Sequence, residues 1–319
     1  MKYVIFESGF DYCKAMCGDI RNREDVLILK PMNFFCNSIF EIHQNIQKRI
    51  NKDFDYKFWL NFFTGFEKID ESEEIVFCFF DSSKIGRNIK FIKWLKNKFK
   101  KSIIVSIILN KLENRTDKID LFNKYYDLNY TFDPYEAKMY EFKYFYTILS
   151  KIDLPSIKVN KDISFVGADK GRLDNLRKIY NSIKNNNISA DFKVVSKVSE
   201  GKEYEEIISE KFFSYREALE IELSANCILD YSYVRDGEQG LSLRIAEAVL
   251  YDKKILTNNK YIKETPFYDE NFVQIFTDEK DIDYLFIKEK NNVKFKNKDL
   301  INPNRLLDMI KIDYYKMLK

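Results

Sequence analysis

The stretch that decides the fold is residues 230–248, which read DYSYVRDGEQGLSLRIAEA. An apolar run of strand length ends at Asp230, a polar loop with glycines follows, and helical spacing begins near residues 240–242. A strand, a loop and a helix in this order predict one βα unit of a parallel sheet. The start of such a helix presents free backbone N–H groups at the positive end of the helix dipole.

The residue types around this helix start favour binding of a diphosphate. Gly240 allows phosphate oxygens to approach closely, Ser242 can cap the helix and donate its hydroxyl, and Arg244 can offer charge-assisted hydrogen bonds. About one turn later, the Glu247 carboxylate can accept hydrogen bonds from the two hydroxyls of a ribose. An ordinary βα unit with a capped helix explains the same residues, so the pattern alone leaves both interpretations open.

The rest of the chain also alternates between strands and helices, which predicts parallel sheets covered by helices. Pro155, among polar residues at 150–162, marks a linker, and Pro303 can begin a C-terminal helix. We therefore expect an α/β fold with two domains, residues 1–150 and residues 151–319. The predicted strands are residues 3–6, 26–29, 75–80, 103–109, 129–132, 163–167, 191–195, 227–230, 254–257 and 272–276.

Bulk composition narrows the class of protein. The net charge of +3, from 53 basic and 50 acidic residues, is not that of a dedicated nucleic-acid binder. Five cysteines, two of them in apolar runs, suggest reduced thiols in a cytosolic protein, and a single histidine argues against a zinc site. Apolar runs stay far below the ~20 residues of a membrane span. We expect a cytoplasmic protein without a bound metal.

Several motifs, in a consistent order, resemble the GT-B glycosyltransferases. QGLSLR at 239–244, EA at 247–248 and KKILTNN at 253–259 are similar to a "GLSxRxxEA" helix and the strand that follows it. YREAL at 215–219 and FDPYEA at 132–137 resemble the helix before that unit and the turn before the domain crossover. The group with this pattern comprises bacterial enzymes that build capsule, O-antigen and other surface polysaccharides. The similarity covers residues 70–275, and it is densest between 213 and 260.

The resemblance implies two Rossmann-like domains that face each other across a cleft, followed by a C-terminal helix. It implies a glycosyltransferase, most simply a hexosyltransferase, that uses a UDP- or GDP-linked sugar and needs no metal or other cofactor. The first domain would bind a glycan or lipid-linked acceptor, and the second the nucleotide sugar. A nucleic-acid partner is not expected.

The implied donor site combines two segments of the second domain. Lys170 and Arg172 follow its first strand, where they can neutralise a leaving diphosphate, although a solvated basic turn explains them equally well. Tyr215 can stack on a base or fill the core. The residues expected at the donor are Gly167, Lys170, Arg172, Tyr215, Glu238, Gln239, Gly240, Leu241, Ser242, Arg244 and Glu247.

The stereochemical outcome stays open at this point. Many retaining GT-B enzymes carry two glutamates eight residues apart, whereas Glu238 and Glu247 are nine apart. An inverting reaction needs a base in the first domain, and a carboxylate there can deprotonate the acceptor hydroxyl. The candidates are Asp11, Asp19 and Asp81, which follow strands, and His43 on the apolar face of a helix, each with a structural role as the alternative.

Three further interpretations stay open. The chain can be a non-catalytic GT-B-like scaffold of a glycan-assembly complex, since the first domain offers only weak candidates for a base. The Lys-rich helix at residues 89–99 can lie on the anionic inner face of the cell membrane. Alternatively, its lysines can form a solvated face while Trp94 packs inward. The same helix can also indicate nucleic-acid binding, against which the near-neutral charge argues.

Overall fold

The computed structural model describes residues 1–7, 9–29, 34–50, 56–83, 85–112, 116–196, 206–232 and 239–317. The chain divides into two compact units, Met1–Phe145 with Leu306–Lys319, and Tyr146–Arg305. Each unit is built around one six-stranded parallel sheet. Within these described ranges, no helix combines the length and the apolar character that crossing a bilayer requires.

The first unit has the strand order β2-β1-β3-β4-β5-β6. Its strands are β1 Lys2–Phe6, β2 Val26–Leu29, β3 Ile75–Phe80, β4 Ser102–Ile108, β5 Leu128–Thr131 and β6 Lys143–Tyr144. Its helices are α1 Asp11–Met16, α2 Phe34–Ile50, α3 Lys57–Thr64, α4 Ile89–Lys98, α5 Thr116–Tyr125 and α6 Pro134–Tyr140. Strand β3 is buried at every position, as its uninterrupted apolar sequence IVFCFF predicts for a central parallel strand.

Aromatic rings fill the space between this sheet and α4. Phe6 stacks on Phe79 with ring centroids 4.3 Å apart, and Phe91 lies 5.7 Å from Phe6. Trp94 packs inward against Phe91 at 5.8 Å. Two lysines of the same helix form ion pairs, Lys96 with Asp127 at 2.7 Å and Lys98 with Glu71 at 3.2 Å. Of the two interpretations of this helix, the packing favours a solvated face with Trp94 turned into the core.

The second unit has the strand order β12-β11-β10-β7-β8-β9. Its strands are β7 Lys161–Ala168, β8 Ala190–Val195, β9 Ile208–Ser209, β10 Ala225–Asp230, β11 Lys254–Thr257 and β12 Val273–Ile275. The helices of this part of the chain are α7 Leu173–Asn185, α8 Tyr215–Leu223, α9 Leu243–Leu250, α10 Tyr284–Lys288 and α11 Pro303–Met317. Counted within the unit, the strand order is 3-2-1-4-5-6, that of the Rossmann fold.

The C-terminal helix returns to the first unit. The Tyr3 hydroxyl donates a hydrogen bond to the Leu307 carbonyl, and the Tyr130 hydroxyl donates to Asp313, both at 2.8 Å. We expected all of residues 151–319 to form the second domain. The structure instead groups residues 306–319 with the first unit, because buried tyrosines of β1 and β5 hold the helix there. The expected α/β fold of two Rossmann-like domains with a C-terminal helix is confirmed.

Candidate functional site

The second sheet changes direction between β7 and β10. From β7 the chain proceeds to β8 on one side, and from β10 it proceeds to β11 on the other side. Ligands of doubly wound sheets bind at such a switch point, beyond the carboxyl ends of the two strands. The residues beyond Ala168 and Asp230 are therefore the first place to look for a binding site.

Two arginines, Arg172 and Arg244, meet at this switch point, and we call them the arginine pair. Arg172 directly precedes α7, and Arg244 lies in the first turn of α9. Their guanidinium groups lie over the ring of Phe165, at 5.0 and 4.6 Å from its centroid. An aromatic face attracts cations, so one buried ring of β7 supports both charges. The structure thus brings together two residues that the sequence placed 72 positions apart.

Backbone carbonyls at the end of β7 hold the arginine pair. Arg244 donates from Nε and Nη2 to the Val166 carbonyl, at 3.1 and 2.6 Å. Arg172 donates from Nε and Nη2 to the Ala168 carbonyl, at 3.2 and 2.9 Å, and from Nη1 to the Tyr231 carbonyl. These acceptors carry no formal charge, so the hydrogen bonds orient the guanidinium groups, while the carboxylates of Glu222 and Asp230 lie 3.3 and 3.9 Å from Arg244.

Gly167 lies between the two carbonyls, and its lack of a side chain makes room for the arginine pair. A Cβ atom at this position would overlap Nη2 of Arg244 and would lie 3.0 Å from Nη2 of Arg172. The glycine is therefore required for the close approach of the guanidinium groups to the strand, as glycines often are where groups crowd the backbone.

The cations at the end of β7, Lys170, Arg172 and Arg244, repel one another. Burial, and then the positive charge of Arg244, lower the pKa of Arg172 to about 10. Partial desolvation, and then the charges of Arg172 and Arg244, lower the pKa of Lys170, whose side chain reaches the surface. A bound anion would relieve this repulsion, so the lowered pKa values indicate a site suited to negative charge.

The first turn of α9 adds backbone donors to these cations. Ser242 is the N-cap residue, and its hydroxyl oxygen accepts a hydrogen bond from the Ile245 N–H at 3.2 Å. The N–H groups of Leu243 and Arg244 donate to none of the residues that the structure describes. Two N–H groups at the positive end of the helix dipole are thus available to an anion.

The start of α7 differs, because an aspartate already occupies it. The Asp169 Oδ1 atom accepts hydrogen bonds from the N–H groups of Gly171, Arg172 and Leu173, at 3.1, 3.1 and 3.0 Å. This carboxylate takes the place that a phosphate would have at the helix end. The loop therefore contributes the Arg172 and Lys170 side chains, rather than its backbone.

A buried aspartate fixes the start of α9 to the sheet. Asp230 is fully buried and accepts hydrogen bonds from the Ser242 and Thr257 hydroxyls, both at 2.7 Å. Asn259 donates from Nδ2 to the Gly240 carbonyl at 3.0 Å. Because the Ser242 proton is directed to Asp230, its hydroxyl is not the free phosphate donor that the sequence suggested.

The residues just before α9 have mixed exposure. Leu241 is buried, and its carbonyl accepts a hydrogen bond from Thr147 at 2.5 Å. Gly240 is also buried, whereas Gln239 is half-buried. Glu238, which we expected at the donor, lies outside the described residues together with residues 233–237.

Glu247 has partners other than the ribose hydroxyls we expected. Its side chain is only 4% exposed, and its carboxyl interacts with Glu222 and with Tyr215. Tyr215, for which we left base stacking or core packing open, has its hydroxyl buried near this carboxyl. The carboxyl of Glu247 reaches inward because α9 packs this face on the sheet.

Glu222, Asp230 and Phe165 are site residues that the sequence analysis did not select. Glu222 had a readable signal, since it shares a helix face with buried Leu219 and Leu223 of α8. A charged residue on an apolar face is rarely buried without a partner. Phe165 and Asp230 gave no such signal, because apolar and strand-end residues of this kind occur in any βα unit.

The candidate bases of the first unit have separate environments. Asp11 and Asp19 are exposed, and Lys14 donates to Asp11 at 3.4 Å. Asp81 is buried and accepts hydrogen bonds from the Leu109 N–H and from Asn110 Nδ2, both at 3.2 Å. Its carboxylate therefore has a structural task at the end of β3.

His43 lies on α2, away from any strand end, and is half-buried. Burial lowers its pKa below the usual value, which favours the neutral imidazole. All five cysteines are buried, and none of them forms a disulfide bond. Within the described ranges, no cluster of three His, Cys, Asp or Glu side chains can hold a metal ion.

Comparison with known proteins gives distant structural similarity. No family model and no curated protein sequence matches the chain. T4 phage BGT in complex with its UDP-glucose substrate is similar with a TM-score of 0.45 and 11% identity, over 99% of this chain and 97% of that chain. A structure of the DNA modifying enzyme beta-glucosyltransferase gives a TM-score of 0.44 and 11% identity, with the same shares covered. Similarity at this level assigns no activity, which has to come from the site.

Proposed function

We propose that the chain is a glycosyltransferase that takes a sugar from a nucleotide-activated donor. The observation that carries the proposal is the arginine pair over Phe165, next to the free N–H groups at the start of α9. Cations, uncapped N–H groups and a glycine that admits close approach together suit a diphosphate at a Rossmann switch point. The motif resemblance of residues 239–259 supports the same assignment.

The chemistry that this site can assist is departure of a nucleoside diphosphate. An acceptor hydroxyl attacks the anomeric carbon, the bond from that carbon to the phosphate oxygen breaks, and negative charge grows on the diphosphate. Arg244 Nη1 makes no hydrogen bond within the described part of the chain, although it lies 3.9 Å from Oδ1 of Asp230, and it can donate to this charge. Together with Lys170 and Arg172 it supplies the charge stabilisation that a divalent metal supplies in other enzymes.

The roles of the other residues follow from their placement. Gly167 makes room for the arginine pair, Ser242 and Gly240 shape the start of α9, and Gln239 and Leu241 continue the loop before it. We propose a UDP- or GDP-linked hexose as the donor. In this proposal the first unit binds a glycan or lipid-linked acceptor of bacterial surface-polysaccharide synthesis. Asp11, Asp19, His43 and Asp81 are its candidate bases.

A thermal-shift screen with UDP-, GDP-, CMP- and dTDP-sugars tests the proposal. A ligand at 100 times its Kd stabilises the folded state by roughly 2.7 kcal/mol, so the melting temperature should rise with one nucleotide class. Arg244→Ala should weaken that binding by roughly 100-fold, since it removes the cation of the first turn. Arg305→Ala, which removes an exposed arginine of the same unit, should bind as the wild type does.

Two results would contradict the assignment. If no nucleotide sugar stabilises the wild-type protein, the non-catalytic scaffold is the better description. If Arg244→Ala binds the stabilising nucleotide as tightly as the wild type, the donor site lies elsewhere in the chain.

A further inference from the structure

Behind the arginine pair lie two buried glutamates, Glu222 of α8 and Glu247 of α9, which we call the carboxyl pair. Their side chains are 3% and 4% exposed. Their carboxyl groups interact with each other, and the buried Tyr215 hydroxyl lies near Glu247. Two carboxyl groups can share a hydrogen bond only if one of them keeps its proton.

The surroundings decide which carboxyl keeps the proton. Burial, and then the neighbouring Glu222 carboxylate, raise the pKa of Glu247 well above its usual range. Burial also raises the pKa of Glu222, but Arg244 and the hydrogen bond from Glu247 oppose that rise. Glu247 is therefore the protonated member that donates, and Glu222 is the ionised member that accepts.

The ionised Glu222 is in direct contact with the arginine pair. Its Oε1 atom lies 3.3 Å from Nε of Arg244. Glu222 also accepts a hydrogen bond from the N–H of Val166, the residue whose carbonyl accepts from Arg244. Val166 of β7 thus binds the Glu222 carboxylate through its N–H and the Arg244 guanidinium through its carbonyl.

We propose that Glu222 is the positioning residue of the anion site, which it serves by holding the Arg244 guanidinium against β7 while it shares a proton with Glu247. The inference rests on the proposed function, because a leaving diphosphate is the group that Arg244 would meet. Glu222 contacts no diphosphate in this assignment and acts only through Arg244. Nε and Nη2 of Arg244 are fixed in this way, whereas Nη1 makes no hydrogen bond within the described residues and lies 3.9 Å from Oδ1 of Asp230.

Loss of the shared proton would disturb this arrangement. The charged and titratable groups that face the carboxyl pair are Tyr215 of α8, Arg244 of α9, Tyr251 directly after α9, and Asp230 of β10. Among these, Arg244 is the sole cation, so a second negative charge at Glu247 would compete with an incoming diphosphate for it. Donor binding should therefore weaken as the pH rises and Glu247 loses its proton.

Three variants separate these roles: Glu222→Gln, Glu247→Gln and, as a matched control, Glu220→Gln on the same helix. Calorimetric titration with UDP and with GDP at pH 7 measures binding. Glu222→Gln should weaken nucleotide binding by roughly 10-fold or more, since it removes the charge that holds Arg244. Glu247→Gln should bind within roughly 3-fold of the wild type, because its amide can donate to Glu222 as the protonated carboxyl does. Glu220→Gln should match the wild type.

A second measurement tests the shared proton without any ligand. A group whose pKa is raised on folding stabilises the protein fully below its unfolded pKa, and this contribution is lost as the pH rises toward its folded pKa. Urea unfolding should therefore show the wild type losing stability, relative to Glu247→Gln, as the pH rises above about 4.5. The difference between the wild type and Glu220→Gln should not follow this course.

The outcomes are distinguishable. Equal nucleotide binding by Glu222→Gln and the wild type overturns the positioning role, and a stability difference to Glu247→Gln that ignores pH overturns the shared proton. If the wild type binds neither UDP nor GDP, the proposed UDP- or GDP-linked donor fails and the ligand of this inference with it. Should Glu222→Gln not fold, Glu222→Asp keeps the charge at shorter reach. It should weaken binding roughly 3- to 10-fold, and binding equal to the wild type overturns the role.

Discussion

The two sheets carry different charged groups at the ends of their switch-point strands. In the first unit, β1 ends before Glu7 and β3 ends before Asp81, and both carboxylates are buried. In the second unit, Gly167 and Ala168 end β7 beneath the arginine pair, and β10 ends at the buried Asp230. Both sheets are parallel, and both reverse their strand order at these strands. The topology is thus shared, while the side chains differ.

The first-unit carboxylates and the arginine pair also differ in their hydrogen-bond partners. Arg21 donates to Glu7 at 2.5 Å, and the Leu109 N–H and Asn110 donate to Asp81, so donors of the unit itself occupy both carboxylates. The arginine pair donates its hydrogen bonds to neutral carbonyls, and of the two arginines it is Arg244 that also pairs with the buried Glu222. A Rossmann topology therefore supplies a place for a ligand, but the side chains decide whether the place is filled from within the protein or left for an anion.

Gly167→Ala is the substitution expected to disturb this contrast most. The added Cβ would overlap Nη2 of Arg244, which must then leave the Val166 carbonyl. The group displaced is the end of a flexible side chain, so the fold should tolerate the change. We expect roughly 100-fold weaker binding of the stabilising nucleotide, measured by calorimetry, and a nearly unchanged melting temperature without ligand.

Gly9→Ala in the first unit is the matched control, because a Cβ there meets no atom within 4 Å. It should change neither the binding nor the melting temperature. Undiminished nucleotide binding by Gly167→Ala would show that the position of Arg244 over β7 has no part in the site.

Local signals in the sequence were enough to predict the strands and the helix around residues 230–257. The strand expected at residues 254–257 coincides with β11 Lys254–Thr257, and the helix expected to begin near residues 240–242 is α9 Leu243–Leu250. These elements could be predicted because apolar runs and a serine cap depend only on residues that are neighbours in the sequence. The short strands β6 and β9 were not predicted, because two residues show no alternation and both strands form only by pairing with β5 and β8.

The candidate site was predictable in part, for a similar reason. Arg172, Arg244 and Gly167 were selected from motifs and loop positions, and the structure places them together. The carboxyl pair was not predicted, because its contact joins two helices that are distant in sequence. The burial of Glu247 depends on that contact too, so a motif that marks the residue cannot tell a ligand contact from an internal one.

Arg21→Ala tests the claim that the first-unit carboxylates are occupied from within. The substitution leaves Glu7 buried without its cation, which should cost roughly 1–3 kcal/mol of unfolding free energy in urea. Arg23→Ala breaks a more exposed ion pair with Asp25 and should cost less than about 1 kcal/mol. Nucleotide binding should stay at the wild-type level in both variants. Equal losses of stability would mean that Glu7 gains nothing from its buried pairing.

Asp81→Asn has the smallest expected effect and asks whether this carboxylate is structural or catalytic. The amide keeps an oxygen that can accept from the Leu109 N–H, but its amino group opposes that of Asn110. We expect a loss of about 0.5–1.5 kcal/mol in urea unfolding, with unchanged nucleotide binding and transfer reduced no more than this instability explains. Transfer lowered by roughly 100-fold in a folded variant that still binds nucleotide would identify Asp81 as a base, within the range by which general bases accelerate reactions. In that case the contrast between the two sheets would have a different meaning, since the buried acid of the first unit would serve the reaction as well as the fold.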